Sequence, residues 1–472
     1  MIELVEDDAL VWFGVDELLQ LAQCDDLPRP LQEKLDAILT TPVINNRAYR
    51  QGSRPHRPLS DQLGPLLRVA FWNVARGERL DDMLLALTDA GSFLQQVRPD
   101  RRSRVAAELD LLQAADVLAL NEVDIGLERT GYRHVVGELA VALGMNYAFG
   151  VEFIELAPLL LGSPDAGYRG LHGNAVLSRY PIRRAIVRPY HHQGFDWYRQ
   201  EKQFFCGLTT GDSMRSPSAP VARALSFCQL RRGGRTALIV ELDVPDLPEG
   251  RITVVTTHLE NRCSPAVRRQ QMGELLHHLR AIDHPVIITG DLNTSGRDGT
   301  PGLAHKFLLN LTASGPFWCW LAPRIAPALG WLNDLRAGSA DFWATERDPT
   351  RDASPERGLF DDLYSFRFDD GRTFDFRGDP ARTVNRLGGL LANSNERTGG
   401  GFVPTSETSW ACGLIGRSKL DWILVKPYLR APQDPQGSYR FAPHFARTLR
   451  ELNALSDHRP LLVDLPLYEP RV

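Results

Sequence analysis

The chain has 472 residues, enough for about three domains or for one domain with large insertions. Hydrophobic content of 43% and charged content of 24% describe a globular protein with ample material for a core. A net charge of −4 and a pI near 6.3 argue against a chain that coats nucleic acid non-specifically, while leaving room for a local basic cleft. The six cysteines (Cys24, Cys206, Cys228, Cys263, Cys319, Cys412) lack metal-ligand spacing. The N-terminus is acidic where a secretory signal would be basic, and no apolar run reaches the ~18 residues of a membrane span. Reduced thiols in a cytoplasmic protein are the simplest expectation.

Residues 1–66 read as an accessory segment. Positions 15–24 and 31–39 have helical spacing, and 45–65 is an irregular crossing rich in Arg, Pro, Gly and Ser. The main domain, 67–472, opens on a strand over 66–74 with Asn73 near its end. Helical stretches follow over 80–97 and 104–114. An apolar strand over 115–124 ends in polar residues, among them Asn121 and Glu122. A helix over 132–143 leads to a strand over 146–152, and 171–182 reads as one strand closed by Pro181.

Residues 189–222 read as an irregular insertion. Strands resume over 236–242 and 251–260, and a helix over 265–281 has Pro265 in its first turn. The β-branched run that follows ends in Gly290-Asp291-Leu292-Asn293. On an extended backbone Asp291 and Asn293 share a face; a strand followed by an Asx turn is the plainer alternative. Residues 297–416 form a second insertion, too long for a structureless loop, expected to be partly helical with a mobile Gly399-Gly400-Gly401 portion. Strands over 419–425 and 459–465 complete the chain.

Polar residues recur where strands end: Asn73, Glu122, Asn174, His258, Asp291, Asn293, Asp421, Asp457 and His458. Any one of them has an ordinary structural explanation. Their recurrence at strand ends, where rigid scaffolds place reactive groups, points to one site. Oxygen donors without a cysteine partner suit a hard cation such as Mg²⁺ or Mn²⁺. Glu122 is the main candidate ligand, with Asn73 and Asp457 as helpers. Asp291 is placed to orient or deprotonate a water. His458 is a donor to phosphate with Asp421 as its partner, and Asn293 and His258 are further donors. The chemistry this set supports is phosphoester hydrolysis.

These segments resemble the endonuclease/exonuclease/phosphatase superfamily of metal-dependent phosphoesterases. The motifs that carry the resemblance are Trp72-Asn73-Val74, Asn121-Glu122-Val123, Gly173-Asn174-Ala175-Val176-Leu177-Ser178-Arg179-Tyr180-Pro181, Thr257-His258-Leu259-Glu260, Gly290-Asp291-Leu292-Asn293-Thr294, Leu420-Asp421-Trp422-Ile423 and Ser456-Asp457-His458-Arg459-Pro460. They stand in the family's order. The resemblance implies an α/β (α+β) fold, a four-layer αββα sandwich of two mostly antiparallel sheets flanked by helices, of the DNase I-like type. It implies a metal surrounded by Asn73, Glu122 and Asp457, a water served by Asp291, and a phosphate met by Asn174, His258, Asn293 and the His458–Asp421 pair. Asn121 stands where many relatives have Gln, with little effect expected.

The resemblance leaves the substrate open: nucleic acid (DNA or RNA), a small phosphomonoester, or a phospholipid or inositol phosphate. A non-catalytic phosphate- or nucleic-acid-binding scaffold is the rival from another class. No transmembrane segment and no obligate protein partner are implied. Trp197, Trp318, Trp320, Trp331, Trp343, Arg324 and Arg397 in the insertions suit either stacking on substrate or an insertion core. The runs Arg101-Arg102-Ser103-Arg104, Arg183-Arg184 and Arg231-Arg232 suit a solvated surface or a phosphate-facing patch.

Overall fold

The computed structural model describes residues 11–61, 64–156, 167–208, 229–247, 249–295, 348–409, 415–426 and 445–467. Runs rich in β-branched residues form the strands of two packed sheets. The first sheet uses β1 (Val43–Asn45), β2 (Gly64–Arg76), β3 (Val117–Ile125), β4 (Asn146–Glu155) and β5 (Leu171–Ser178). The second begins with β6 (Ile182–Pro189), β7 (Thr236–Asp243), β8 (Arg251–His258) and β9 (Val286–Asp291), and is completed by β10 (Asp421–Lys426). The chain then returns to the first sheet with β11 (Phe445–Thr448) and β12 (Leu461–Pro466).

The first sheet runs β1-β4-β5-β3-β2-β12-β11, with two short strands, Leu59–Ser60 and Arg231–Gly233, attached to β2 and β4. The second runs β10-β9-β8-β7-β6. Pairing is antiparallel except for β2 with β3 and β8 with β9. Side chains alternate across each strand. Val69, Val117, Val176, Val240, Val254, Ile287 and Ile423 therefore meet between the sheets. The outer face of the first sheet packs on helices Leu80–Thr88, Arg102–Gln113 and Val135–Leu143. The second sheet is covered by Pro265–Leu279 and Arg357–Ser365. Helix, sheet, sheet and helix make the four layers that the resemblance implies.

Several boundaries differ from the sequence reading for local reasons. The helical stretch after β2 breaks at Asp89, whose carboxylate accepts the Ser92 N–H at 3.0 Å and caps a second helix, Ala90–Gln96. The strand expected over 171–182 is two strands in different sheets. β5 stops at Ser178, and the chain crosses through Pro181 to start β6 at Ile182. Pro lacks the N–H a central ladder needs, so it marks the crossing instead. The insertion after β6, expected to be irregular, contains the helix Arg199–Leu208, started by Asp196 accepting the N–H groups of Tyr198 and Arg199.

The segment over 11–61 contributes the edge strand β1 and three helices, Val15–Gln23, Arg29–Thr40 and the single turn Arg47–Arg50. Leu18, Leu21, Leu31 and Leu35 join the same apolar cluster as β3 and β4. Gly399 and Gly400 form the turn between the short paired strands Arg397–Thr398 and Gly401–Phe402. No helix among the described residues is long and apolar enough to cross a membrane.

Candidate active site

At one end of the inter-sheet layer the apolar residues give way to polar ones. On β8, β9 and β10 the register puts His258, Asp291 and Asp421 in one row across three adjacent strands. Asn73 on β2 and Asn121 on β3 are register partners on the facing sheet. Gly290 permits this spacing, since a Cβ there would lie 2.0 Å from the Thr257 carbonyl oxygen of β8. Gly173 does the same on β5, where a Cβ would meet the Gly150 carbonyl at 2.0 Å.

Glu122 reaches the site through a bulge. The β3–β5 register shifts between Leu120 and Val123, and Glu122 has φ +55°. Asn121 consequently turns inward between the sheets while Glu122 faces the cleft. Its Oε1 lies 3.4 Å from Asn73 Nδ2 and 4.0 Å from His258 Nδ1, and its Oε2 lies 3.7 Å from Arg76 Nε. Burial opposes ionisation of Glu122, but the groups around it that can carry positive charge outweigh it (His258 only when protonated, then Arg76, His172 and His458) and hold the carboxyl well below its usual range. His258 is itself pushed well below the usual imidazole value by burial and by Arg235. With His258 neutral near pH 7, Arg76 is the permanent charge beside Glu122.

Asp291 lies behind Glu122, 2% exposed. Its Oδ2 is 3.3 Å from Asn73 Nδ2, 3.6 Å from His258 Nε2 and 3.8 Å from His458 Nε2. Burial and the facing Asp421 push its carboxyl up to about 7, against the pull of His458 and of the Asn293 N–H. His458 Nδ1 contacts both oxygens of Asp421, at 3.0 and 2.8 Å. Burial works against charge on His458, but Asp421, then Asp291 and Asp457, raise its pKa well above the usual value. Ser456 Oγ accepts the His458 N–H at 3.1 Å, and the His458 carbonyl accepts from Trp72 Nε1 at 3.0 Å.

The remaining expected residues are placed as follows. Both readings of the Asp291–Asn293 turn hold in part. Asp291 Oδ1 accepts the Asn293 N–H at 2.9 Å, which is an Asx turn, while Asp291 Oδ2 faces the site. Asn293 lies past the end of β9 with φ +50°, so the shared-face argument does not reach it, and its amide donates to the Leu259 carbonyl at 2.8 Å. Asn174 is fully buried, and its Oδ1 accepts from Asn121 at 2.6 Å. Asp457 is exposed and lines a cleft of about 630 Å³ together with Glu122, Arg76 and Ser456.

Of the insertion aromatics, Trp197 is buried, donates to Glu260 at 2.8 Å and is stacked by Arg231 and Arg262, so it builds a local core. Arg397 stacks on Phe402 and donates to the Leu390 carbonyl. Trp318, Trp320, Trp331, Trp343 and Arg324 lie outside the described residues. Arg101 and Arg104 are paired with Glu451, and Arg183 and Arg184 face Glu241.

Two further residues take their place at the site from long-range geometry. Asn121 is a junction: Nδ2 donates to Asn174 Oδ1 and to Thr256 Oγ1, and Oδ1 accepts the Asp291 N–H at 2.9 Å. Arg76 stands over Glu122 by virtue of a turn that no residue pattern announces.

Among the described residues, three potential ligand atoms converge within 4.8 Å at Asp291, Asp421 and His458. Two of these residues are the ion pair just described, and an imidazolium cannot bind a cation. The Glu122 side of the site fits better. Its donors are oxygens, it opens on the cleft, and the buried His258 Nδ1 beside it has no hydrogen-bond partner among the described residues, a gap that an ion or its water would fill. Asn73 Oδ1 is engaged with the Ala75 N–H at 3.0 Å, and its amide would have to turn to offer oxygen to a metal.

Two packed sheets with carboxylates, amides and an Asp–His pair at one edge define a class of hydrolytic scaffold. The chain belongs to the Endonuclease/Exonuclease/phosphatase family, whose model matches residues 70–458. Members of this family are hydrolases acting on phosphoester bonds. No curated protein sequence matches the chain. It is similar to an endonuclease/exonuclease/phosphatase from Beutenbergia cavernae at 16% identity, over 85% of this chain and 72% of that one, with a TM-score of 0.41. It is similar to the human Nocturnin catalytic domain at 15% identity, over 85% and 93% of the two chains, with a TM-score of 0.39. A Neisseria 3′ phosphatase bound to a product DNA hairpin is 13% identical, over 84% and 98%, with a TM-score of 0.39.

Proposed function

We propose that the protein is a divalent-metal-dependent phosphoesterase that hydrolyses its substrate by in-line attack of water. The observation that carries this is the setting of Asp291 Oδ2, faced by Asn73, His258 and His458 within 3.3–3.8 Å. A carboxylate brought near neutrality can take a proton from water as the water attacks and release it afterwards. His458 donates from Nε2 to a phosphate oxygen while Asp421 holds Nδ1 and keeps the ring charged. Neutral His258 and the remaining amide hydrogens of Asn293 and Asn174 serve the oxygens on which negative charge gathers.

Glu122, with Asp457 and Asn73, would hold the cation, and the oxygen donor set suits Mg²⁺ or Mn²⁺. When bound, the ion supplies charge neutralisation at the phosphoryl oxygen. The test is a panel of single- and double-stranded DNA, RNA, inositol phosphates and sphingomyelin, each with Mg²⁺ and with EDTA. Turnover of at least one class with Mg²⁺, lost in EDTA, is expected. Binding without turnover across the panel supports the scaffold reading instead.

A further inference from the structure

Next to Glu122, β2 ends in a bulged turn: Arg76 is still the ladder partner of Val123 on β3, across a register shift that begins after Asn73. Ala75, Arg76 and Gly77 are three consecutive left-handed residues, with φ +46°, +67° and +78°. Each of the two non-glycine residues costs roughly 1 kcal/mol in that region. Gly77 is fixed by contact as well as by φ, because a Cβ would lie 2.7 Å from Val135, the first residue of the helix Val135–Leu143. Strain of this kind persists only where the surroundings impose it, and it gathers at sites where a side chain must be aimed. Here it aims Arg76 into the cleft. The Arg76 side chain is 30% exposed, its guanidinium lies 3.7 Å from Glu122 and 3.8 Å from Glu78, and it makes no hydrogen bond among the described residues. A planar guanidinium with its donors unspent, beside the Glu122 carboxylate, is suited to gripping a phosphate in two places.

Among the described residues, the cleft around it lacks the features that hold a nucleic-acid strand. Its lining has two guanidiniums, Arg76 and Arg79, against four carboxylates, Glu78, Glu122, Glu407 and Asp457, and no aromatic side chain among the described residues. A nucleic-acid strand brings a charge with every nucleotide and is held by a run of cations and by stacking platforms. Carboxylates and amides instead accept hydrogen bonds from hydroxyls.

We propose that Arg76 is the residue that grips the substrate's phosphate, and that the cleft takes the phosphate ester of a compact, hydroxyl-bearing alcohol such as a sugar or polyol. This rests on the phosphoesterase reading above. It is tested by calorimetry on the full chain in Mg²⁺, titrating inorganic phosphate, sorbitol 6-phosphate and a single-stranded oligonucleotide into wild type, Arg76→Ala and Arg76→Lys. Loss of charge-assisted hydrogen bonds predicts inorganic phosphate affinity about 10- to 100-fold weaker in Arg76→Ala, partly restored by Arg76→Lys. Mg²⁺ affinity of Arg76→Ala, titrated separately, is expected not to weaken, since the cation removed stands beside Glu122. Sorbitol 6-phosphate is expected to bind more tightly than the oligonucleotide. Unchanged phosphate affinity in Arg76→Ala, or a shift in Mg²⁺ affinity alone, overturns the assignment of Arg76. Tightest binding by the oligonucleotide, falling steeply with salt, overturns the substrate class. Phosphate binding that depends on Arg76 in a protein that turns over no phosphoester would leave this inference standing and sink the enzymatic reading.

Discussion

Asp291 and Asp421 stand directly opposite one another on the antiparallel strands β9 and β10, and His458 is the cation that serves them both. Like charges placed opposite each other across a ladder repel. The arrangement survives because Asp421 is ion-paired to His458 and Asp291 rises to about 7. One residue of the pair is thereby kept as a holder and the other as a proton acceptor.

Asp291→Asn is expected to lower turnover by ~10³-fold, within the range that general-base catalysis contributes, while the fold is retained. The acid limb of the wild-type rate profile should lie at or below pH about 7, since Asp291 must be ionised to work. For stability the sign runs the other way. A carboxyl raised in the folded state contributes stability that is full below about 4 and is lost as pH rises through about 7. The Asn variant escapes that loss, so its Tm should exceed wild type by a few degrees at pH 8 and match it at pH 4. Wild-type rates at saturating metal together with a Tm unchanged at both pH values would rule Asp291 out as the base.

Asp421→Asn removes the carboxylate that keeps His458 charged. The raised His458 pKa contributes stability present below about 6.5 and lost as pH rises through the folded value. In the variant that value falls toward 6.5, so activity should be lost at a lower pH than in wild type. The His458 ring resonance, followed by NMR across pH, reports the shift directly. An unmoved alkaline limb would mean that His458 is held by something other than Asp421.

Much of this was written in the sequence because strand ends are local. The β-branched runs, the Gly that lets β9 approach β8, and the Asp457-His458 dipeptide all read from short windows. What escaped depended on long-range geometry. Asn293 was placed on one face with Asp291 by strand periodicity, but the strand stops at Asp291 and a left-handed residue follows. The Pro181 crossing was invisible because a strand that changes sheet and a strand that stops look alike in sequence. Asn121 looked interchangeable because its partners, Asn174, Thr256 and the Asp291 backbone, lie on three other strands.

Glu122→Gln keeps the size of the side chain and removes its charge. The Mg²⁺ concentration for half-maximal rate should rise by about tenfold or more, with little change in the maximal rate once metal is saturating. Arg76 would then face a neutral amide, so phosphate binding should not weaken. A metal titration that superimposes on wild type would exclude Glu122 as the main ligand.

Asn121→Ala tests whether the spacing between the sheets matters to the chemistry. Asn121 belongs to the first sheet, while the Asp291 N–H it accepts and the Thr256 hydroxyl it donates to belong to the second. Alanine leaves that N–H and the Asn174 amide oxygen buried without partners, a loss of about 2–6 kcal/mol at 1–3 kcal/mol per orphaned group. Thermal denaturation should show it as a lower Tm. The sharper expectation is kinetic. Asp291 would remain chemically intact but no longer anchored to β3, so the maximal rate should fall while the Mg²⁺ requirement, set at Glu122, stays near wild type. Asn121→Gln retains donor and acceptor but forces an extra methylene into a fully buried position, which typically costs 1–3 kcal/mol. It should recover much of the rate lost in the alanine variant and little of the stability. A loss of stability with no loss of rate in Asn121→Ala would reduce this residue to packing and free the position of Asp291 from the facing sheet.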